Sequence, residues 1–187
     1  LIGILAFRSI SVGIDLANYI PWFKLLHNTP WENVADAITD VEPGFLFLTK
    51  FISVFSGNEQ VYLAVVACIV VVPLFILYYR ESEDPLLSIS IFLILPNFCM
   101  LFSGLRQAIA ISLGVPVYYL ARKKKLFWFL CIVVLAILFH KSAFMLVLLY
   151  PLLHVRITKK WLWFVVPCMV VMLLFNAEIF NFLLQFL

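Results

Sequence analysis

A run of 19 residues without a charged side chain, Val61 to Tyr79, limits what this chain can fold into. As an α-helix rising about 1.5 Å per residue, it comes close to the ~30 Å hydrocarbon thickness of a membrane. Of the 187 residues, 65% are hydrophobic and 12% are charged, whereas an average soluble domain carries about 25% charge. So little polar surface could not cover so much apolar surface in water. The sequence therefore predicts an all-α, polytopic helical integral membrane protein.

Further apolar segments follow this run and are separated by short polar breaks. One break is Ser103–Gly104, and another is "FHKSA" at 139–143. We expect a single transmembrane domain over 1–187, truncated at both ends because the chain starts at Leu1 and stops inside an apolar run that begins at Ile179. The predicted spans are about 61–79, 86–102, 105–121, 126–139, 143–155 and 161–175.

The basic residues predict an orientation, because lysine and arginine concentrate in cytoplasmic loops. They form three clusters: Arg80, "RKKK" at 122–125, and the group from Arg156 to Lys160. Two predicted spans separate each neighbouring pair of clusters, so all three can lie in the cytoplasm. The tips "SGLRQ" and "FHKSA" then face outside.

Residues 8–60 are predicted to form an external loop of short amphipathic helices. Six acidic residues lie in this loop: Asp15, Glu32, Asp36, Asp40, Glu42 and Glu59. Five apolar residues recur at helical spacing and predict one buried helix face: Leu16, Tyr19, Ile20, Phe23 and Leu26. "TPWE" at 29–32 resembles a capping box with proline at the first helical position. The largely apolar segment 44–55 has only 12 residues, fewer than a span needs, and this favours an interfacial or re-entrant segment, with a full crossing left open.

Arg106 is the most unusual residue, since an arginine at mid-membrane costs roughly 2.5–3.5 kcal/mol. One interpretation is a snorkelling anchor near a helix end. The other is a functional group, favoured by the adjacent Gln107 and by a small-residue ridge of Gly104, Ala108 and Ser112. Such a ridge lets another helix pack closely and turns the arginine toward protein. A guanidinium in that place is suited to binding phosphate or diphosphate.

Three further residues could take part in chemistry, and each also has a structural interpretation. His140 can change protonation near neutral pH, but a single histidine at a helix break is often structural. Asp15 could be the N-cap of the first loop helix, and Glu42 could simply precede the helix that starts at Pro43. No Ser-His-Asp order or HExxH spacing accompanies His140, and the four cysteines form no close pair. We therefore predict no metal site.

Three stretches, taken in order, resemble the EpsG family of bacterial polysaccharide polymerases, which belongs with the Wzy-type O-antigen and exopolysaccharide polymerases. "RSISVGIDLANY" at 8–19 resembles the element R-x-x-x-V-G-x-D-x-x-x-Y, and "EPGF" at 42–45 resembles E-P-G/L. "LRQAIA" and "FHKSA" resemble R-Q-x-x-A and F-H-x-S-A. The sequence departs from the family at Ile14, where a hydroxyl residue is common, and at Leu105, where an aromatic is common. Neither departure removes a charged residue.

The resemblance implies an enzyme that joins undecaprenyl-diphosphate-linked oligosaccharide repeat units in exopolysaccharide, capsule or O-antigen synthesis. It implies a multi-pass protein of the bacterial cytoplasmic membrane with its active site outside, and neither a cofactor nor a catalytic metal. Arg106 would stabilise the leaving diphosphate, and Asp15, Glu42 and His140 are alternative bases. Substrate-binding roles are implied for four residues: Arg8, Tyr19, Gln107 and Ser142. Partners would be the bilayer and a chain-length regulator and flippase of the same pathway, with no nucleic acid.

Other functions remain alternatives at this stage. A membrane acyltransferase that modifies surface polysaccharide also combines arginine and histidine, although its catalytic histidine usually lies early in the chain and on the cytoplasmic side. A lipid-linked saccharide flippase or transporter would place polar residues near mid-membrane. A purely structural subunit would give no reason for polar residues to cluster at the outer tips.

Overall fold

The computed structural model describes residues 1–9, 12–155 and 158–175. Helices dominate these residues and no strand occurs among them, which confirms the predicted all-α class. The chain divides into two compact units, Leu1–Leu153 and His154–Leu187. The α-helices that begin in the first unit are α1 (Ile2–Ala6), α2 (Leu16–Asn28), α3 (Pro43–Phe55), α4 (Glu59–Glu81), α5 (Pro85–Ile94), α6 (Pro96–Ser103), α7 (Leu105–Arg122), α8 (Leu126–Ile137) and α9 (Leu149–His154).

Helix α4 contains the charge-free run and lies at the centre of the first unit. Its N-cap Asn58 accepts hydrogen bonds from the backbone N–H groups of Gln60 at 2.8 Å and Val61 at 3.4 Å. Glu59 in the first turn and Arg80 in the last turn both interact favourably with the helix dipole. Within the described part of the chain, α4 is the one helix long and apolar enough to cross a membrane by length and composition. Helices α1 and α7 pack against it.

The apolar helix face predicted from Leu16 to Leu26 is confirmed in α2. All five residues of the predicted apolar face are buried, and Phe23 stacks on Tyr62 of α4 with ring centroids 4.6 Å apart. The "TPWE" prediction is wrong. Thr29 donates its hydroxyl back to the Leu25 carbonyl at the end of α2, and only a short 3₁₀ helix, Trp31–Asn33, follows without a side-chain cap. The hydroxyl therefore stabilises the preceding helix end instead of starting a new helix.

Two of the predicted spans are interrupted. Residues 86–102 are divided into α5 and α6 at Leu95, which has extended backbone because the ring of Pro96 disfavours helical geometry in the residue before it. The segment after His140 is a 3₁₀ helix, Lys141–Leu148, that continues into α9. The span limits and the membrane orientation stay predictions.

The second unit contains one described helix, α10 (Lys159–Leu174). The predicted span 161–175 falls largely within it. The basic residue Arg156 and the apolar run from Ile179 lie outside the described residues. Large apolar side chains are exposed on this helix, such as Trp163 at 83%, which is unusual for a protein surface in water.

Candidate functional site

A buried carboxylate joins two helices of the first unit. Glu42 is the residue before α3 and is only 7% exposed, and its Oε2 accepts a hydrogen bond from Arg106 Nη1 at 2.6 Å. Arg106 lies in the first turn of α7 and its side chain is 24% exposed. The arginine thus faces protein. A charge-assisted hydrogen bond between poorly hydrated groups is among the stronger polar contacts in a protein.

The second oxygen of Glu42 faces the turn after α8. Glu42 Oε1 accepts a hydrogen bond from the backbone N–H of Lys141 at 3.2 Å and lies 3.4 Å from His140 Nδ1. Burial alone would raise the pKa of Glu42, but hydrogen bonds from its own backbone N–H, from Lys141 and from Arg106 outweigh it and lower the pKa. Glu42 is therefore ionised at neutral pH. This acid bridges the "LRQ" and "FHKSA" tips.

Gly44 explains how the acid reaches both tips. Its backbone N–H donates to the Leu138 carbonyl at 2.9 Å, and a Cβ at this position would lie 2.7 Å from that oxygen. Only glycine allows the start of α3 to approach the end of α8 this closely. Pro43 takes the first helical position, where no backbone N–H is needed. Each residue of "EPG" thus contributes to placing the carboxylate.

Aromatic residues of α2 form the other side of the cluster. The Trp22 ring centroid lies 6.0 Å from the Arg106 guanidinium carbon, and Trp22 contacts Tyr19 edge-on with ring centroids 5.5 Å apart. Burial raises the pKa of Tyr19, although the neighbouring Arg106 opposes this. The neutral phenol can therefore hydrogen-bond to Arg106 without adding charge.

The element "RSISVGIDLANY" at 8–19 contacts the chain just before Arg106. Arg8 is 6% exposed and donates from Nη1 to the Leu101 carbonyl at 3.1 Å. Burial lowers the pKa of Arg8 to about 10, so it remains a cation at neutral pH. Gly13 has φ +116° and a Cβ there would lie 2.0 Å from the Phe102 carbonyl oxygen. The backbone N–H of Ile14 donates to Ser103 Oγ at 3.2 Å. This motif therefore binds the end of α6.

A groove of about 340 Å³ begins beside the cluster, between α7 and the 3₁₀ helix. Three polar residues line it: Gln107, His140 and Ser142. The other lining residues are apolar: Ala110, Ile111, Ala143, Met145, Leu146, Leu148, Leu149 and Leu152.

Among the predicted site residues, the structure brings together Glu42, Arg106, His140 and Tyr19, with Gln107 and Ser142 along the adjoining groove. Two others lie apart from this contact set. Arg8 contacts the end of α6. Asp15 occupies the N-cap position of α2 without a side-chain cap, and its charge acts on Tyr19 of the cluster.

Sequence reasoning assigned no role to three residues of the site. Trp22 carries a signal in its spacing, three residues after Tyr19 on the same helix. Gly44 carries only the general signal of a glycine, which permits close backbone approach, and the sequence does not identify the partner. The role of Lys141 has no sequence signal, because it acts here through its backbone N–H. Within the described ranges no group of three or more potential metal ligands gathers.

The fold and the cluster define a helical protein with large exposed apolar surfaces and a partly buried acid–arginine–histidine cluster at the meeting point of three sequence elements. The EpsG family model matches residues 1–187, the whole chain. The chain belongs to the EpsG family, and hence to the membrane proteins of polysaccharide biosynthesis with polymerase-type activity. No curated protein and no solved structure shows a significant match to it.

Proposed function

We propose that the protein polymerises undecaprenyl-diphosphate-linked oligosaccharide repeat units at the outer face of the bacterial cytoplasmic membrane, as a multi-pass protein. The observation that carries this proposal is the double contact of Glu42, which joins Arg106 to the turn of His140. This puts a cation and a possible base on one carboxylate, as the reaction requires. A chain-length regulator and a flippase of the same pathway would be the protein partners.

In this reaction a hydroxyl of the incoming unit attacks the anomeric carbon of the growing chain. A new glycosidic C–O bond forms, the bond from that carbon to the lipid diphosphate breaks, and the electron pair leaves on the diphosphate oxygen. Arg106 is the group we assign to this developing charge, because a guanidinium binds phosphate oxygens in paired hydrogen bonds. Its pairing with Glu42 holds the guanidinium in place before the substrate arrives.

His140 is our choice for the base that takes the hydroxyl proton. Glu42 is a weak base because its pKa is lowered and its oxygens already accept hydrogen bonds. His140 Nδ1 lies 3.4 Å from Glu42 Oε1, and shortening of this distance to a hydrogen bond in the substrate complex would orient the ring. Nε2 is then left for the sugar hydroxyl. Among the described residues Asp15 has no comparable arrangement with a histidine, and Arg8 is better placed to position the end of α6.

The test replaces Arg106 by alanine and by lysine in the complete protein and measures polymer length in cells. Arg122 is a matched control, since it is the other arginine of α7 and pairs with Glu81. We expect Arg106→Ala to abolish polymer and Arg106→Lys to leave a small amount of polymer. Arg122→Ala should make polymer of normal length. Normal polymer from well-expressed Arg106→Ala would contradict the assigned role.

Orientation needs its own experiment. Single cysteines at Ser103 and Lys124 would be labelled with a membrane-impermeant reagent in intact cells, after the native cysteines are replaced by serine. Three of these native residues are exposed and would otherwise react: Cys68, Cys99 and Cys131. We expect labelling at 103 alone. Labelling at 124 alone would reverse the proposed orientation.

A further inference from the structure

The groove beside the cluster changes character along its length. Its polar lining residues come from the start of α7 and from the turn after α8, which also carry Arg106 and Lys141. Beyond them the lining is aliphatic, with Ala110 and Ala143 buried at its base. A ligand that fits this profile is an amphiphile with a polar head at the cluster and an apolar chain in the groove.

The charged residues beside the groove indicate the charge of the ligand's polar head group. The negative charge of Glu42 already offsets that of Arg106. Lys141 follows His140 in the chain and is exposed, and its ammonium forms no ion pair among the described residues. Taken together, Arg106, Glu42 and Lys141 give this end of the groove a net positive charge at neutral pH. An anionic head is attracted to this end of the groove.

The aliphatic part is open along one side. Four lining side chains are substantially exposed: Ile111 at 46%, Met145 at 53%, Leu148 at 49% and Leu152 at 64%. The volume of about 340 Å³ lies at the low end of the ~300–1,000 Å³ typical of ligand sites. A groove of this size holds only the part of a long chain nearest its head, and the open side lets the remainder enter the bilayer.

We infer that this groove binds the first isoprene units of a polyprenyl diphosphate, with the diphosphate at Arg106 and Lys141. This inference rests on the proposed function, because that function supplies the lipid-linked diphosphate. A free sugar does not fit the aliphatic lining. A phospholipid shares the anionic phosphate and the apolar chain but carries one phosphate charge instead of a diphosphate, so the net positive cluster favours the polyprenyl lipid.

The chain offers closely matched probe positions. Met145 and Leu148 line the groove, whereas their neighbours Phe144 and Val147 do not, although they are similarly exposed at 58% and 44%. Each position in turn would receive the photoreactive residue benzoylphenylalanine. The purified full-length protein, in phosphatidylglycerol-containing nanodiscs, would be irradiated with undecaprenyl diphosphate, and adducts would be identified by mass.

We expect undecaprenyl adducts at 145 and 148 at least fivefold above those at 144 and 147. Lys141→Ala should lower their yield, and neutral undecaprenol should give a lower yield than the diphosphate. Equal adducts at all four positions would overturn the inference. Phospholipid adducts at 145 and 148 that undecaprenyl diphosphate does not displace would also overturn it, since the groove would then hold bilayer lipid.

Failure of this inference and failure of the proposed function give different results. If Arg106→Ala abolishes polymer but no undecaprenyl adduct forms at 145 or 148, the polymerase proposal stands and the groove assignment is wrong. If the selective adducts form while Arg106→Ala and His140→Ala both make normal polymer, the groove assignment stands and the catalytic assignments are wrong. Met145→Trp, which would fill the groove, should shorten polymer, whereas Phe144→Trp should not.

Discussion

Replacement of Glu42 by glutamine tests the contact on which the candidate site depends. Glutamine keeps the shape and can still accept from the Lys141 backbone N–H, but it loses the charge-assisted bond to Arg106. Such bonds contribute about 1.5–3 kcal/mol. The carboxylate is 7% exposed, so little water can replace the bond, while the arginine at 24% regains some hydration. At about 2–4 °C per kcal/mol for a chain of this size, we expect the melting temperature to fall by roughly 3–12 °C.

The assay is thermal unfolding in detergent, followed by tryptophan fluorescence, on Glu42→Gln, Arg106→Gln and the double variant. Either single change leaves an unpaired charge, whereas the double variant leaves two neutral amides, so it should be less destabilised than the sum of the single changes. The expected coupling free energy is about 1.5–3 kcal/mol. Additivity within about 0.5 kcal/mol would refute the argument that the two residues act as a pair.

The pH dependence gives a second measurement on the same pair. The pKa of Glu42 in the folded protein lies below its ordinary value of 4.5. As pH falls, the unfolded chain therefore takes up this proton first, so the carboxylate stabilises the fold fully above the unfolded pKa and loses that effect as pH falls through the folded pKa. The difference in melting temperature between the parent protein and Glu42→Gln should shrink in that acidic range. A constant difference would mean that the carboxylate charge is not responsible.

Two further predictions concern packing and helix ends. Gly44→Ala should destabilise the protein by about 1–3 kcal/mol through overpacking against the end of α8. Gly3→Ala is the control: no atom lies within 4 Å of the added Cβ, so it should be neutral or stabilise the protein by up to about 1 kcal/mol. Equal melting temperatures of the two variants would contradict this prediction. Lys50→Met should cost about 1–3 kcal/mol, because the buried ammonium binds the last carbonyls of α2 at 2.9 and 3.4 Å. Lys24→Met, which removes an exposed ion pair with Glu59, should cost at most about 1 kcal/mol in the same unfolding measurement.

Local patterns predicted those parts of the fold that depend on one segment alone. The face of α2 follows from the spacing of five apolar residues, all of which are buried. The prediction at Thr29 was wrong because the same hydroxyl can start one helix or bind the end of another. The division at Leu95 shows a similar limit, since the apolar pattern continues across Pro96 while the backbone does not.

The site could be predicted only in outline, because its central contact joins distant parts of the chain. Arg106 and Glu42 are 64 residues apart in sequence, and Lys141 is 99 from Glu42. The resemblance to the family identified these stretches as important. Which atoms meet is decided by the packing of α3 against the ends of α7 and α8, and no local pattern encodes that packing. The backbone donor of Lys141 is the clearest example, since any non-proline side chain there would leave it unchanged.

The two glycines in the family-like elements show why side-chain chemistry and backbone geometry occur together in this sequence. Gly13 lies against the Phe102 carbonyl, four residues before Arg106, and Gly44 lies against the Leu138 carbonyl, two residues before His140. Gly13 thus holds the end of α6, just before the helix that carries Arg106, and Gly44 holds the end of α8, just before His140. Each glycine is also two residues from an acid of its own element. A bulkier residue at either position would displace Arg106 or His140 without touching it. The short elements therefore act in pairs: a glycine of one element packs against the backbone just before the charged or titratable residue of another. Their backbone contacts matter as well as their side-chain chemistry.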